Sequence, residues 1–535
     1  MWRAPTTAST TPSTASAAAE GSASRPSRAL ISFLLATLLL GAAFLDDHGR
    51  AAVADVRNPA VVFLLFDEFP VIDLENERGE IDAGRFPNFA RLAESSIWFH
   101  NTTTLSANTT VAVPAMLTGN PPKRGARPTA RDYPNNLFSL LGGRGYRMVV
   151  TETQTHLCPQ RLCKHKQPDT NRGERLPKID PQTFWRGRVR GLDRWVARLR
   201  PAGGGPPTLY FMHSLFPHTP WVFLPDGRIR ALTHTNTPGR IGERWYNAQL
   251  AVQAWQRHLL QTGFTDRLLG HLIRRLQQTG LWHNALIVVT ADHGISFRGG
   301  DLRRHPSRTN LAELAFTPLF VKLPGDEGAR VVDRHVVTVD ILPTIADVLG
   351  ITIPWKTAGS SALSTGAGSP TVKVKNISAP YGLELVQRQA SLHRQLRLFG
   401  SGAWGPEFCG TGPYRKLVGR RARTLHTVGH ATGEVKVDRL GSAMLRAFPK
   451  RSPFVPSPLV GALTGIEPGT QLALSLNGKI AAVTEAYREP RGPIKFSALP
   501  GELAFNAGRN RAQMFVVSGP AARPVLRELR LSLSG

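Results

Sequence analysis

Three apolar segments of the sequence carry residue types that bind metal ions or move protons. PAVVFLLFDEF, TLYFMHSLFPHTPW and NALIVVTADHG supply, respectively, Asp67 with Glu68, His213 with His218, and Asp292 with His293. Each pair alone has an ordinary explanation, because a carboxylate after a strand is usually a helix cap and a lone histidine is usually a satisfied core or surface residue. Together they predict a divalent-cation site, since carboxylates and imidazoles are ligands for zinc and manganese.

A hydroxyl nucleophile is offered by TLSANTTVAVPAMLTG, where Thr109 and Thr110 come just before an apolar helical stretch. A bound cation would lower the pKa of such a hydroxyl, and the start of a helix favours an anionic group. We expect Thr109 to be the nucleophile, with Thr110 as the alternative if the register differs by one residue.

The segments around these residues predict the elements that must position them. From residue 59, short apolar runs alternate with longer amphipathic stretches, which is typical of βα units around a mainly parallel sheet. FPNFARLAESS and FTDRLLGHLIRRLQQTG have helical spacing, and Gly280 closes the second. Reactive groups gather at the carboxyl ends of parallel strands, so the three polar strand ends are expected to form one site.

In their order along the chain, several motifs resemble those of sulfatase-like members of the alkaline phosphatase superfamily. They span about residues 59–363: LLFDEFP, FPNFARLAESSIWFHN, TTVAVPAMLTG, FPHTPW, TDRLLGHLIRRLQQTGLWHNALIVVTADHG and VTVDILPTIADVLGI. The resemblance implies an α/β fold, with a mixed, mainly parallel sheet flanked by helices. It also implies a metal and nucleophile site made of Asp67, Thr109, Asp292 and His293. The expected substrate-binding residues are His218, His213 and His305.

The nucleophile position departs from the sulfatase pattern. Sulfatases carry a Cys or Ser that becomes formylglycine ten residues before the Gly of LTG, and Thr109 stands there, with no Arg following in the motif. A threonine is similar to the nucleotide pyrophosphatase/phosphodiesterases and to the phosphoglycerol and phosphoethanolamine transferases of the superfamily. The resemblance therefore implies attack on a phosphoester and a phospho-threonine that passes its group to water or an alcohol. The alternatives are a sulfatase working without formylglycine and an inactive polyanion-binding protein of the cell envelope.

We expect one divalent ion, Mn, Zn, Mg or Ca, as in the lipoteichoic acid synthase type, with two ions as the alternative. The extra ligands of a second ion would come from His213, His218, Asp226, Asp301 and His305. Glu68 beside Asp67 has two open interpretations, a second metal ligand or a carboxylate at a helix start. His305 and the neighbouring Arg303 and Arg304 would hold an anionic substrate or form a solvated basic loop.

The charge of the chain bears on its partners. The 535 residues carry 66 Lys+Arg against 38 Asp+Glu, a net charge of +28 that is spread along the chain. Because no helix-turn-helix, zinc-finger or RNP pattern accompanies this charge, we do not expect a nucleic-acid partner. An anionic envelope lipid, polymer or glycan suits it. The sequence predicts no oligomeric state.

The two ends of the chain predict its organisation and location. Residues 1–28 resemble a disordered cytoplasmic tail, and the seventeen uncharged residues 29–45 predict a single transmembrane anchor with everything downstream extracytoplasmic. The alternative is a signal segment cleaved near residues 52–54, which gives a secreted protein. Residues 55–363 are the expected catalytic domain. Residues 364–535 are the expected linker and β-rich accessory domain, with a hairpin turn at Asn477 and Gly478.

Three cysteines occur, and two of them are close together in THLCPQRLCKHK. Cys158 and Cys163 could form a loop disulfide in an exported chain, or bind a metal with His156 and His165. Both interpretations stay open. Cys409 has no evident partner.

Overall fold

The computed structural model describes residues 58–163, 181–203, 205–230, 239–450, 452, 454–490 and 492–535. The predicted tail (1–28) and membrane anchor (29–45) lie outside these residues. Within the described ranges, no helix has the length and apolar character needed to cross a membrane.

A seven-stranded sheet forms the centre of the first part of the chain. Its strands are β1 (Val61–Asp67), β2 (Ile97–Phe99), β3 (Arg147–Thr151), β4 (Thr208–Pro217), β5 (Leu286–Ala291), β6 (Leu319–Lys322) and β7 (Arg330–Val332). They lie in the order β7-β2-β6-β5-β1-β4-β3, and only β6 runs against its neighbours. The prediction of a mixed, mainly parallel sheet is confirmed. Every residue of β1 is buried, as its continuous apolar sequence predicts for a central parallel strand.

Helices cover both faces of this sheet. They are α1 (Pro87–Ala93), α2 (Thr109–Thr118), α3 (Leu137–Gly142), α4 (Pro181–Val196), α5 (Ala248–Gln278), α6 (Leu281–Asn284), α7 (Leu311–Ala315) and α8 (Ile341–Val348). Alternate residues of β1 enter different cores: Val62 packs in the cluster that includes α1, α4 and α5, and Val61 in the cluster that includes α2, α3 and α8. The sheet is therefore the middle layer of three.

A second, β-rich part follows, as predicted. It begins with the hairpin β8 (Thr371–Val374) and β9 (Ile377–Pro380), then α9 (Tyr381–Phe399). An eight-stranded sheet comprises β10 (Thr427–Val437), β11 (Leu459–Thr464), β12 (Gln471–Leu476), β13 (Lys479–Glu485), β14 (Tyr487–Arg488), β15 (Ile494–Ala498), β16 (Ala512–Ser518) and β17 (Val525–Leu533), with α10 (Arg439–Arg446) after β10. Asn477 and Gly478 both have positive φ between β12 and β13, as the predicted hairpin turn requires.

The Gly/Ser-rich segment AGSSALSTGAGSP, which follows Thr357, lies against the first part of the chain. Ala358 and Gly359 donate hydrogen bonds to the carbonyl oxygen of Gly119, at the end of α2. Ser360 donates to Asp340 at the start of α8. Both sheets belong to one compact unit, Val56–Gly535. The domain boundaries drawn from sequence remain predictions.

Candidate active site

Parallel pairing brings the three polar strand ends together. β1 lies between β4 and β5, with Leu65 opposite His213 and Phe66 opposite Ala291. Asp67, the last residue of β1, thus lies beside the end of β5, where Asp292 and His293 continue the chain. The side chains of Asp67, His213, Asp292 and His293 are all buried. Gly294 completes this turn because a Cβ there would lie 2.1 Å from the carbonyl oxygen of Glu313.

The buried cluster has ligand atoms within reach of one cation. Asp67, His213 and Asp292 each offer an atom, and these atoms all lie within 4.8 Å of one another. His293 Nε2 lies 3.9 Å from Asp67 Oδ1 and 3.6 Å from Asp292 Oδ2. Asp292 is held in place by its other oxygen, which accepts from the backbone N–H of Glu68 at 3.1 Å and of His293 at 2.7 Å.

Hydrogen bonds fix which nitrogen of each imidazole carries a proton. His293 Nδ1 lies 2.9 Å from the carbonyl oxygen of Gly294, which can only accept, so neutral His293 presents a lone pair at Nε2. Thr153 donates to the carbonyl oxygen of His213 at 3.2 Å, and its hydroxyl oxygen accepts from His213 Nδ1 at 3.0 Å. His213 Nε2 therefore also faces the cluster as a lone pair. The His213 lone pair and the two carboxylates converge, and His293 Nε2 lies beside the two carboxylates.

This donor set fits a divalent cation. Asp67 Oδ1, Asp292 Oδ2 and His213 Nε2 are buried and have no hydrogen-bond partner, which is costly unless a cation satisfies them. Burial, with the negative charges of Asp292 and Glu68, raises the pKa of Asp67 well above its usual range. Burial also lowers the pKa of His213 to about 4, so its imidazole is neutral at pH 7, the form that ligates metal. Asp67, His213, Asp292 and His293 are the residues that would hold the ion.

The sequence prediction gave His213 as a substrate contact and, alternatively, as a ligand of a second ion; the structure places it in the cluster with Asp67 and Asp292. Its side chain is fully buried in the cluster and faces Asp67 Oδ2 at 3.9 Å. The sequence contains a signal for this position, which is a histidine in the middle of an apolar strand with buried residues on both sides. Among the described residues, no second group of three metal-binding side chains is close enough to hold another ion. Asp226 and Asp301 lie elsewhere and hydrogen-bond to Arg228 and Thr309.

Helix α2 presents the expected nucleophile to this cluster. Asn108 caps the helix by accepting a hydrogen bond from the Thr110 backbone, and it also accepts from the Thr110 hydroxyl at 2.8 Å. Thr109, the first helical residue, is buried, and its Oγ1 lies 3.4 Å from His293 Nε2. The helix thus places the Thr109 hydroxyl at the cluster, whereas the Thr110 hydroxyl is hydrogen-bonded to Asn108.

Glu68 belongs to a basic network beside the cluster. Its carboxylate, fully buried, contacts Arg303 Nη1 at 2.7 Å and Arg304 Nε at 3.7 Å. Burial alone would raise the pKa of Glu68, but the positive charge of Arg303, aided by His218 and Arg304, holds it well below its usual range. Its carboxylate is ion-paired with Arg303, and the two interpretations from sequence, a metal ligand or a helix-start carboxylate, stay predictions.

His218 contacts this network. Its Nδ1 lies 2.8 Å from the Thr219 carbonyl oxygen, and its Nε2 lies 3.5 Å from Arg304 Nη1 and 3.9 Å from Glu68 Oε2. Burial lowers the pKa of His218 to about 3, against the opposing charge of Glu68. His218 is thus neutral at pH 7, with a lone pair at Nε2. His305 is exposed and lines an open cleft together with Arg304.

Cys158 and Cys163 are joined by a disulfide. This bond removes the thiolates that the alternative metal site would need, and His165 lies outside the described residues. Cys409 is the free cysteine.

Known proteins with similar sequences place the chain in a family. The Sulfatase family model matches residues 59–351, more than half of the chain. The chain is 30% identical to arylsulfatase K of Bos taurus over 119 residues, 22% of each protein, and 29% identical to the ulvan-active sulfatase of Formosa agariphila over 92 residues, 17% of this chain and 18% of that one. These alignments span about a fifth of the length of the curated relatives.

Solved structures with a similar fold include a protein from the glycosaminoglycan metabolism locus of Bacteroides thetaiotaomicron, with a TM-score of 0.45 and 15% identity over 60% of this chain and 83% of that one. The phosphonate monoester hydrolase of Agrobacterium radiobacter has a TM-score of 0.42 and 15% identity over 59% of this chain and 79% of that one. The predicted resemblance to sulfatase-like hydrolases of the alkaline phosphatase superfamily is confirmed at the level of family. The chain belongs to the sulfatase family.

Proposed function

We propose that this sulfatase-family protein is a metal-dependent hydrolase or transferase that cleaves phosphoesters, with Thr109 as its nucleophile. The observation that carries the proposal is the position of the Thr109 hydroxyl. Its Oγ1 lies 3.4 Å from His293 Nε2, at the edge of the buried ligand cluster. A hydroxyl is a weak nucleophile unless a neighbouring base or cation activates it. The cation would supply this activation, because His293 Nε2, which would help to hold the cation, lies beside the Thr109 hydroxyl.

The bound cation would polarise the phosphoryl oxygens and lower the pKa of the Thr109 hydroxyl. As the bond from Thr109 Oγ1 to phosphorus forms, the bond from phosphorus to the leaving oxygen breaks, and the proton released by the Thr109 hydroxyl is taken up by the leaving oxygen. Arg304, at the edge of the site, offsets negative charge on the phosphoryl group. In the second step, the neutral Nε2 of His218 accepts the proton of the water or alcohol that takes the phosphoryl group.

The identity of residue 109 favours a phosphoester over a sulfate ester. Oxidation of a Cys or Ser side chain gives the aldehyde of formylglycine, whereas the β-carbon of threonine carries a methyl group and oxidation would give a ketone. Thr109 therefore acts through its hydroxyl oxygen. A sulfatase without formylglycine is the second candidate, favoured by the family match and by the names of the curated relatives. An inactive binding protein would have no use for the two buried carboxylate oxygens that lack a hydrogen-bond partner, Asp67 Oδ1 and Asp292 Oδ2.

The proposed substrate is an anionic component of the cell envelope, such as a lipid headgroup, a teichoic-type polymer or a decorated glycan. Two features support this proposal: the net charge of +28 and the apolar segment 29–45, which would anchor the protein and expose its catalytic part outside the cytoplasmic membrane.

The test is hydrolysis of aryl phosphodiester, phosphomonoester and sulfate reporters by the full-length protein, with and without manganese or zinc. Thr109→Ala should lower metal-dependent phosphoester cleavage by roughly a thousandfold or more. Thr110→Ala is the matched control and should change the rate by less than about threefold, because its hydroxyl is held by Asn108. Full activity in Thr109→Ala, or cleavage of sulfate alone, would refute the assignment.

A further inference from the structure

A basic cleft opens beside the proposed nucleophile. Its volume is about 970 Å³, and its wall includes Asn108, the neighbour of Thr109. Arg304 lines the same cleft and also contacts Glu68 and approaches His218. The cleft is therefore continuous with the residues around the reaction centre and lies where the rest of a bound substrate would extend.

The positive charges of the cleft are largely uncompensated. Lys123, Arg124, Lys373 and Lys375 line it, and none of them lies within 4 Å of a carboxylate in the described parts of the chain. The single acidic residue in the wall, Glu243, already contacts Arg303 at 3.1 Å and Arg304 at 3.8 Å. Cations crowded into a partly enclosed space repel one another, and a ligand with several negative charges relieves that repulsion.

The two lysines of the β8–β9 hairpin are fixed at the wall. The backbone N–H of Lys375 donates a hydrogen bond of 2.9 Å to the carbonyl oxygen of Leu105, four residues before Thr109. Lys375 has φ of 57°, a conformation that glycine or asparagine adopts at lower cost than lysine. Lys373 is exposed on the adjoining strand and lines the same cleft.

We propose that this cleft binds the continuation of a phosphodiester chain, so that the substrate carries at least two anionic groups beyond the ester that is cleaved. The proposal rests on the proposed function for its choice of phosphodiesters, because the threonine nucleophile favours phosphorus over sulfur. Spaced phosphates would contact Arg304 near the reaction centre and Lys373 and Lys375 farther out. The cleft would then select oligomers over isolated phosphoesters.

The experiment measures binding and does not depend on turnover. Fluorophore-labelled glycerol phosphate oligomers with one or four phosphodiesters are titrated with full-length protein in manganese, and fluorescence polarisation gives Kd. Wild type should bind the longer probe at least about tenfold more tightly than the shorter one, with strong salt dependence. Lys373→Gln combined with Lys375→Asn should weaken binding of the longer probe by about five- to tenfold, and asparagine tolerates the positive φ.

Two variants separate the possible failures. Lys436→Gln, at an exposed position on β10, removes one charge outside the cleft and should bind both probes like wild type. Thr109→Ala should retain the preference for the longer probe. The binding result therefore does not depend on whether Thr109 is the nucleophile. Equal affinity for the two probes, or equal weakening by Lys436→Gln, overturns the subsite. Tighter binding of a sulfated oligosaccharide of the same charge overturns the phosphodiester assignment.

Discussion

Metal binding should stabilise the fold through the carboxylates of the cluster. In the metal-free protein, Asp67 and Asp292 repel each other while buried, and this repulsion together with burial raises the pKa of Asp67. A divalent cation replaces that repulsion with attraction. For a Kd of about 1 µM and about 1 mM metal, preferential binding to the folded state contributes about 4 kcal/mol. Residues 58–535 have an unfolding entropy of roughly 1 kcal/mol per kelvin, so Tm should rise by about 4 °C.

The assay compares Tm by differential scanning calorimetry in chelator and in manganese, zinc or calcium chloride. Asp67→Asn and Asp292→Asn should each reduce the metal-induced rise to less than about 1 °C. Without metal, Asp67→Asn should be at least as stable as wild type, because the amide has no charge to bury. The matched control is Asp226→Asn, which removes an acid paired with Arg228 outside the cluster and should leave the full metal-induced rise.

The direction of the pH dependence follows from the pKa of Asp67. Its folded value lies above its unfolded value, so the folded, metal-free protein binds the proton more tightly. That stabilisation is complete below the unfolded pKa, near 4, and is lost as pH rises through the folded pKa. The metal-induced rise should therefore grow from acidic to neutral pH, as metal displaces the proton. A Tm that no metal changes, or an unaltered rise in Asp67→Asn, would refute this account of the cluster.

Two further predictions concern stability. Glu68→Gln should lower stability by about 3–5 kcal/mol, because Arg303 would lose its closest carboxylate while buried. Urea unfolding should show a much smaller loss for Glu80→Gln, whose ion pair is exposed, and equal losses would argue against a structural role for the buried pair. Replacing Cys158 with Ser should lower the free energy of unfolding by about 2 kcal/mol, because the disulfide closes a short loop. In wild type, thiol labelling followed by intact-mass analysis should find only one reactive cysteine. Labelling of Cys163 in wild type would contradict the disulfide.

The sequence was most informative where burial is uniform. Continuous apolar runs identified the central strands, because a parallel strand covered on both faces needs no polar residue. Helix α5 was predicted from Phe264, but it begins at Ala248. Its first half buries glutamines that hydrogen-bond to distant backbone, such as Gln261 to Val222 and Gln253 to Ser497. Periodicity treats such residues as solvent-facing, so the helical pattern was hidden.

The sequence did not indicate strand β10, and it left open which residues His213 would contact. Thr427–Val437 is largely exposed and contains glycines, so it lacks the apolar alternation that marks a strand. His213 was recognised as reactive, but its partner was decided by strand register. Pairing of β4 with β1 places it opposite Leu65, two residues before Asp67. Leu65 and His213 are 148 residues apart in the sequence. Which residues of β1 and β4 lie opposite each other therefore depends on tertiary packing, which local sequence does not encode.

Glu68 shows how backbone conformation decides the role of an acidic residue. Its φ is 64°, an uncommon value for glutamate, at the point where β1 ends. With this backbone, the N–H of Glu68 donates to Asp292 and its carbonyl oxygen lies 3.0 Å from His258 Nε2, while the carboxylate meets Arg303. Adjacent acids at a strand end would ordinarily suggest two ligands. Here the second acid orients the ligand Asp292 through its backbone and binds the arginines through its side chain, so the cluster and the basic network are built from one turn.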